Sequence, residues 1–161
     1  HTIQANYAPG STLNVGGESY ALKRIHFHTP SEHYIDGAPY PMEAHFVHQA
    51  DDGRLAVIGA MMKVGETNPI VAGIWANAPM KEGKKDVPSV TYNAADLMPA
   101  DKSYYTYEGS LTTPPCSHGV KWHVLKTPVE ISQAQLAAFQ KIFPMNASPL
   151  RPLDGRIVKG N

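Results

Sequence analysis

The sequence predicts a mainly β fold of the α+β type, in which a large, twisted and mostly antiparallel central sheet carries a few short helices at its periphery. Segments with strand signals recur along the chain and are separated by Gly, Asp and Pro. The 14 prolines and 13 glycines favour many turns, and only one segment has a clear helical pattern. Because 161 residues are typical of one domain and no repeat or linker divides them, we expect a single domain over residues 1–161.

Strand signals occur in most segments of the chain. They consist of β-branched and aromatic residues bounded by turn residues, and they occur at residues 12–15, 20–28, 43–49, 55–64, 103–107 and 120–125. The opening residues 2–7 are strand-like as well. Asp51-Asp52-Gly53 separates two of these segments and predicts a hairpin turn, so their strands should be antiparallel neighbours.

One helix is clearly predicted near the C-terminus. Ser132 is a suitable N-cap, Gln135 follows it at the spacing of a capping box, and Pro144 ends the pattern. The apolar residues at helical spacing are Leu136, Phe139 and Phe143. Residues 69–76 form a weaker helical candidate that begins with proline, and residues 79–101 are predicted to be loop and surface.

Composition excludes two classes of partner. The chain has 14 basic and 14 acidic residues and a net charge of zero, so it lacks the electrostatic footprint of a protein that binds nucleic acid or an anionic membrane. The longest apolar run, Leu55 to Met62, is far too short to span a bilayer. We therefore expect neither a nucleic-acid partner nor a membrane span.

Three histidines have the spacing of a metal site. His26 and His28 are two residues apart on one predicted strand, so their rings point to the same face. The turn-rich residues 29–42 allow the next strand to bring His45 to the same point. Three neutral nitrogens with an open fourth position are typical of catalytic zinc, and a thiolate cage is excluded because Cys116 is the single cysteine. The alternative is a chance alternation with solvent-facing rings.

The remaining histidines have other interpretations. Strand alternation places His48 on the face opposite His45, where we expect it to pack or to support the site from outside. For His33, His118 and His123 we expect a surface position or a core position with satisfied hydrogen bonds.

A second segment, residues 107–116, has neither a helical nor a strand period. It places two hydroxyls, on Thr112 and Thr113, directly before two prolines. Because proline fixes the backbone, a hydroxyl beside it can be held still, as an orienting group requires. The alternative is an ordinary turn.

Together these motifs resemble the alpha class of carbonic anhydrases, and specifically its bacterial branch. The resemblance covers almost the whole chain, and the motifs occur in the order of that family. They are His26-Phe-His28-Thr-Pro-Ser-Glu32-His33, Glu43-Ala-His45-Phe-Val47-His48, Leu55-Ala-Val57-Ile-Gly59 and Ser110-Leu-Thr112-Thr113-Pro-Pro-Cys116. The resemblance implies zinc-dependent, reversible hydration of carbon dioxide to bicarbonate and a proton, by attack of a zinc-bound hydroxide.

The resemblance also implies the roles of individual residues. It implies that one zinc ion is bound by His26, His28 and His45. Thr112 is then expected to accept a hydrogen bond from the attacking hydroxide and to donate one to Glu32, which aims the nucleophile at carbon dioxide.

Further roles follow from the same resemblance. Glu43 is expected to accept the ring N–H of His45, and His1 to shuttle protons between the site and buffer. The apolar wall for carbon dioxide is expected to consist of Val47, Val57, Leu111, Val120 and Trp122, with Thr113 at the entrance.

Partners and location are implied in the same way. The resemblance implies carbon dioxide and bicarbonate as substrates, and sulfonamides and anions as inhibitors. We also expect a homodimer as one form of the protein. The family's N-terminal portion is absent from this sequence, and we expect it, on the same or a separate chain, to carry a cysteine that pairs with Cys116. We expect this piece alone to be poorly stable, and we expect the protein in the periplasm or outside the cell.

Two positions depart from the family pattern. Arg24 stands where the family commonly has a glutamine that accepts a hydrogen bond from a ligand histidine, and arginine has no acceptor. We therefore expect the histidine's hydrogen bond either to be lost or to be made to a carbonyl or a water instead. Ser148 stands where arginine is usual, and we expect only a packing consequence.

Three other functions compete with the proposed reaction. A cupin-type metal enzyme has a first motif that His26, His28, Glu32 and Gly37 fit, but its second motif, Pro-x-Gly followed by His, is missing. A binding domain without metal is a non-enzymatic alternative, although every implied metal ligand is present. An inactive, zinc-binding fragment of the same enzyme is the third.

Overall fold

The computed structural model describes residues 2–6, 11–15, 17–78, 93–113, 115–150 and 155–160. Within them the chain forms eleven strands, two α-helices and one short 3₁₀-helix. The strands are β1 Gln4–Asn6, β2 Thr12–Val15, β3 Glu18–His28, β4 Tyr34–Ile35, β5 Ala38–Pro39, β6 Met42–Gln49, β7 Leu55–Val64, β8 Tyr104–Ser110, β9 His118–Leu125, β10 Val129–Ile131 and β11 Lys159–Gly160. The helices are α1 Pro69–Asn77 and α2 Gln133–Ile142, and the 3₁₀-helix is Ala94–Leu97.

The main sheet of the described residues has nine strands and is mixed. Its order is β1-β3-β6-β7-β9-β8-β11, with β2 paired to β3 and β10 paired to β7. The β7–β9 and β7–β10 pairs are parallel, whereas the other pairs are antiparallel. A mostly antiparallel central sheet with short helices is therefore confirmed. A parallel pair requires a long connection, and the chain between β7 and β9 includes α1, the 3₁₀-helix and β8.

The predicted elements correspond closely to the observed ones. The turn at Asp51-Asp52-Gly53 joins the antiparallel strands β6 and β7, and Gly53 has a positive φ of 91°. Helix α2 begins with the predicted capping box, because the Ser132 side chain accepts from Gln135 N and the Gln135 side chain accepts from Ser132 N. The predicted surface loop at residues 79–101 is wrong in part, since Ala94 and Leu97 are buried. Residues 79–92 lie outside the described part of the chain.

The two faces of the sheet bury different sets of side chains. Alternation along β3 and β6 sends the two sets to opposite sides. On one side, apolar side chains of the sheet and of the two helices form one cluster. It includes Ile25, Phe27, Ala44 and Phe46 from the sheet, Val71 from α1, and Leu136 and Phe139 from α2. On the other side Val47, Val57, Val120 and Trp122 form a smaller apolar cluster. Three histidines and two carboxylates lie beside that smaller cluster and are described below.

In the described residues, no helix has both the length and the apolar character that a membrane crossing requires.

Candidate metal centre

Three buried histidines converge at the centre of the sheet. His26 and His28 lie on β3, and His45 lies directly opposite His26 on the antiparallel strand β6. One nitrogen from each ring lies within 4.8 Å of the other two, and the three residues are at most 4% exposed. The predicted group is therefore assembled, and its nitrogens are close enough to share one ion.

Two of the three rings are fixed by hydrogen bonds from their outer nitrogens. His28 Nδ1 donates to the carbonyl oxygen of Asn146 at 3.1 Å, which leaves its Nε2 free for a ligand role. His45 Nε2 donates to Glu43 Oε2 at 2.8 Å, which leaves its Nδ1 free. Such bonds fix the tautomer and the orientation of a metal-binding imidazole. The Glu43 contact is the one that the resemblance implies, whereas the contact with Asn146 was missed.

The third ring lacks such a partner. His26 Nδ1 is buried and has no hydrogen-bond partner among the described residues. Arg24, two residues earlier on β3, supplies none, because a guanidinium has donors only. Among the described residues, the hydrogen bond that a glutamine at position 24 would accept from His26 is therefore lost, and no carbonyl replaces it.

The chemical state of the rings suits metal binding. Burial, together with repulsion from His45 and His28, lowers the pKa of His26 to about 2. Burial, with repulsion from His45, lowers the pKa of His28 to about 4. Both rings are therefore neutral near pH 7 and offer lone pairs, as metal ligation requires.

Glu43 is the most heavily bonded side chain of the site. Its Oε1 accepts from the backbone N–H groups of Glu32 and His33, both at 2.9 Å, and its Oε2 accepts from His33 Nδ1 at 2.6 Å as well as from His45. Complete burial opposes ionisation, but His33 and His45 outweigh it and hold the pKa of Glu43 well below its usual range. The close approach requires a glycine on β7, since a Cβ at Gly59 would lie 2.7 Å from Glu43 Oε2.

His33 belongs to this network. Its Nε2 forms a hydrogen bond with the Tyr107 hydroxyl at 2.5 Å. Burial works against protonation of His33, yet the neighbouring Glu43 charge raises its pKa. His33 is only partly buried, between the predicted surface and core positions, and both of its ring nitrogens are bonded. Its role as a partner of Glu43 was missed, because His33 follows no strand pattern.

Glu32 faces the point where the rings converge. Its Oε1 lies 3.3 Å from His28 Nε2 and 3.7 Å from His45 Nδ1, and its Oε2 accepts from the backbone N–H of Ser148 at 2.6 Å. Oε1 accepts no hydrogen bond from the described residues, so the implied bond from Thr112 stays a prediction.

The polar atoms at this point fit a bound cation. His28 Nε2 and Glu32 Oε1 are buried without hydrogen-bond partners in the described part of the chain. Unpaired buried polar groups are uncommon, and a bound ion is one of their ordinary explanations. Three imidazole nitrogens are also a typical donor set for catalytic zinc.

A small pocket opens beside the histidines. It is lined by His26, His45, Val47, Val57, Leu111, Thr112, Thr113 and Trp122. Val120, which the resemblance also implies for the wall, does not line this pocket, but it belongs to the same apolar cluster as Val47, Val57 and Trp122. The Trp122 indole is fixed because its Nε1 donates to Ser110 O at 2.9 Å. The structure thus brings the implied wall residues, Thr112 and the three histidines together.

Other predicted residues lie elsewhere. His48 is buried on the opposite face, as expected, and both it and His123 line a second cavity there. His123 Nε2 lacks a partner among the described residues, so the expected satisfied position is wrong for it, whereas His118 is exposed. Cys116 is exposed, and its thiol forms no disulfide. His1 lies outside the described residues.

Comparison with known proteins agrees with the geometry of the site. The family model for eukaryotic-type carbonic anhydrase matches residues 1–158. A carbonic anhydrase of Nostoc sp. is 44% identical over 98% of this chain and 60% of its own length, and one of Neisseria gonorrhoeae is 44% identical over 98% and 63%. The alpha-carbonic anhydrase of Thermovibrio ammonificans, solved with the inhibitor sulfanilamide, has a TM-score of 0.94 at 43% identity over 98% of this chain and 70% of that one.

These relatives are longer than this chain. The chain spans about 60 to 65% of the length of the bacterial carbonic anhydrases that it matches.

Proposed function

This chain belongs to the eukaryotic-type (alpha) carbonic anhydrase family, and we propose that its protein reversibly hydrates carbon dioxide to bicarbonate and a proton, with one zinc ion on His26, His28 and His45. The observation that carries this proposal is the convergence of three buried imidazoles beside a small apolar pocket. A cupin-type enzyme is excluded because the family and the fold are those of a different class.

The residues around the histidines prepare the site for the metal. Glu43 holds the ring of His45, and the backbone carbonyl of Asn146 holds the ring of His28, so each presents its other nitrogen. When bound, zinc supplies a Lewis acid that makes a water molecule a nucleophile at neutral pH. Imidazoles are neutral, so they leave the cation's charge uncancelled, whereas thiolates would reduce it.

The pocket suits an apolar substrate. Val47, Val57, Leu111 and Trp122 offer carbon dioxide an apolar surface next to His26 and His45, and Val120 packs in the same apolar cluster. We assign to the Thr112 hydroxyl the orientation of the nucleophile, with Glu32 as its acceptor. Thr113, on the pocket wall, is assigned to the entrance.

Several finer assignments complete the proposal. His1 shuttles protons, for which an ordinary imidazole pKa near neutrality is suitable. Bicarbonate, sulfonamides and small anions bind in the pocket. Cys116, which is exposed, pairs with a cysteine elsewhere in the whole protein, and the protein works as a homodimer in the periplasm or outside the cell.

Carbon dioxide hydration, measured by stopped flow with zinc quantified in the same samples, tests the proposal. We expect turnover only in zinc-loaded protein, with about one zinc per chain, and loss of turnover on chelation that zinc restores. Zinc bound without turnover would favour an inactive fragment of the enzyme, and the absence of stable zinc binding would favour a metal-free binding domain. Either result would contradict the proposed activity of this chain.

Arg24→Gln is expected to tighten zinc binding. In the proposed site Nδ1 of His26 is the outer nitrogen, and glutamine would give it the acceptor that it lacks. Since such outer bonds are commonly worth about 10- to 100-fold in metal affinity, we expect the zinc Kd to fall about tenfold in chelator competition. Arg24→Met is the matched control, because it removes the positive charge without adding an acceptor. Equal zinc Kd values for the two variants would contradict the prediction.

A further inference from the structure

The stretch that follows α2 returns to the site at two residues. Asn146 N donates to Thr29 O at 3.1 Å, and the Asn146 amide accepts from Thr29 N at 2.7 Å and donates to Phe27 O at 3.0 Å. These bonds fix the stretch against the end of β3. Two residues later, Ser148 contacts the other side of the site.

Ser148 makes two hydrogen bonds to two different parts of the site. Its backbone N–H donates to Glu32 Oε2 at 2.6 Å, and its hydroxyl donates to the backbone carbonyl of Thr112 at 2.8 Å. Any residue except proline can make the first bond, but only a short hydroxyl side chain makes the second. The expected packing role of Ser148 is therefore incomplete, because its hydroxyl reaches the Thr112 main chain.

Thr112 lies in a segment with little support of its own. Residues 111–113 and 115–117, which are the described part of the connection between β8 and β9, belong to neither strand. The backbone bonds that these described residues make with one another are Leu111 N to Ser117 O at 2.8 Å and Cys116 N to Thr113 O at 2.9 Å. Neither involves the peptide groups of Thr112, so the Ser148 hydroxyl fixes a carbonyl that these bonds leave free.

We propose that Ser148 is a positioning residue. Its hydroxyl and its N–H together fix the position of the Thr112 main chain relative to the Glu32 carboxylate. The two bonds leave from one residue, so a displacement of the Thr112 main chain relative to the Glu32 carboxylate requires one of them to break or lengthen. The inference rests on the proposed function, in which the Thr112 hydroxyl orients the nucleophile. The serine hydroxyl thus controls how precisely the Thr112 hydroxyl is positioned for the nucleophile. The backbone bond to Glu32, in contrast, does not depend on the side chain at position 148.

The test compares Ser148→Ala with Ser148→Thr. Alanine removes the hydroxyl and keeps the N–H, whereas threonine keeps both groups. We expect kcat/KM per bound zinc to fall about tenfold in the alanine variant, less than the ~10²-fold that a 1 Å misplacement near the chemistry can cost, and to recover in the threonine variant. A purely structural role would lower the melting temperature and zinc content but would leave the rate per zinc unchanged.

A second measurement does not depend on turnover. Backbone hydrogen exchange should accelerate at Leu111 and Cys116, whose N–H groups are bonded within this segment, in the alanine variant and should return to the wild-type rate in the threonine variant. Unchanged exchange in Ser148→Ala would overturn the inference even if the protein hydrates no carbon dioxide. Wild-type activity with an unchanged rate per zinc in Ser148→Ala would overturn it while leaving the proposed function intact.

Discussion

Replacing His45 with alanine is expected to remove both zinc and turnover. His45 is the ligand that β6 supplies, and its ring lies opposite His26 across the β3–β6 pair. Losing it leaves two ligands and deprives Glu43 Oε2 of the His45 donor, so a buried carboxylate retains only part of its hydrogen bonds. Because loss of an outer partner alone commonly costs about 10- to 100-fold in metal affinity, loss of a ligand should cost more.

The measurement is zinc content after dialysis, together with carbon dioxide hydration in the same sample. His118→Ala is the matched control, because His118 is an exposed histidine at the start of β9 and should leave both values unchanged. Zinc content and turnover in His45→Ala equal to those of the control would contradict the assignment of the ligand.

Replacing Thr112 with valine is expected to separate turnover from zinc binding. Valine has nearly the shape of threonine but has no hydroxyl, so the pocket wall is preserved while the orienting group is lost. Misplacement of reacting groups costs on the order of 10²-fold in rate, and we expect a loss of kcat/KM of that size. Zinc content should be unchanged, since Thr112 is not one of the grouped metal-binding side chains.

Thr113→Val serves as the comparison for this variant. Thr113 is the next residue along the chain and lies on the same pocket wall, but it has no assigned contact with the nucleophile. We therefore expect its rate to fall much less than that of Thr112→Val. If kcat/KM per bound zinc of Thr112→Val lies within about twofold of the wild-type value, the hydroxyl has no role in the mechanism.

Parts of the site that depend on local pattern could be predicted from the sequence. Two-residue alternation places His26 and His28 on one face, and the turn-rich residues 29–42 return the chain so that His45 lies opposite His26. The capping box of α2 is likewise a local signal, which Ser132 and Gln135 provide. The alternation and the capping box require only neighbouring residues, and the return of His45 requires only a turn between two consecutive long strands, so these features can be read from the sequence.

Other parts could not be predicted because their partners are backbone atoms from distant segments. The outer nitrogen of His28 donates to the carbonyl of Asn146, 118 residues away, and Glu32 accepts from the N–H of Ser148, 116 residues away. Side-chain identity does not mark which peptide group will be used, and residues 144–150 have no periodic pattern. The strands β4, β5 and β11, of two residues each, are also too short to show a period.

X-ray absorption at the zinc edge of the purified, zinc-loaded protein tests the central claim most directly. The account predicts a four-coordinate ion with three imidazole nitrogens and one further oxygen, at distances of about 2.0 to 2.1 Å, and no sulfur at about 2.3 Å. A sulfur scatterer would place Cys116 on the metal, and a shell of oxygens alone would place the ion away from the three histidines. Either result would contradict the metal centre described above.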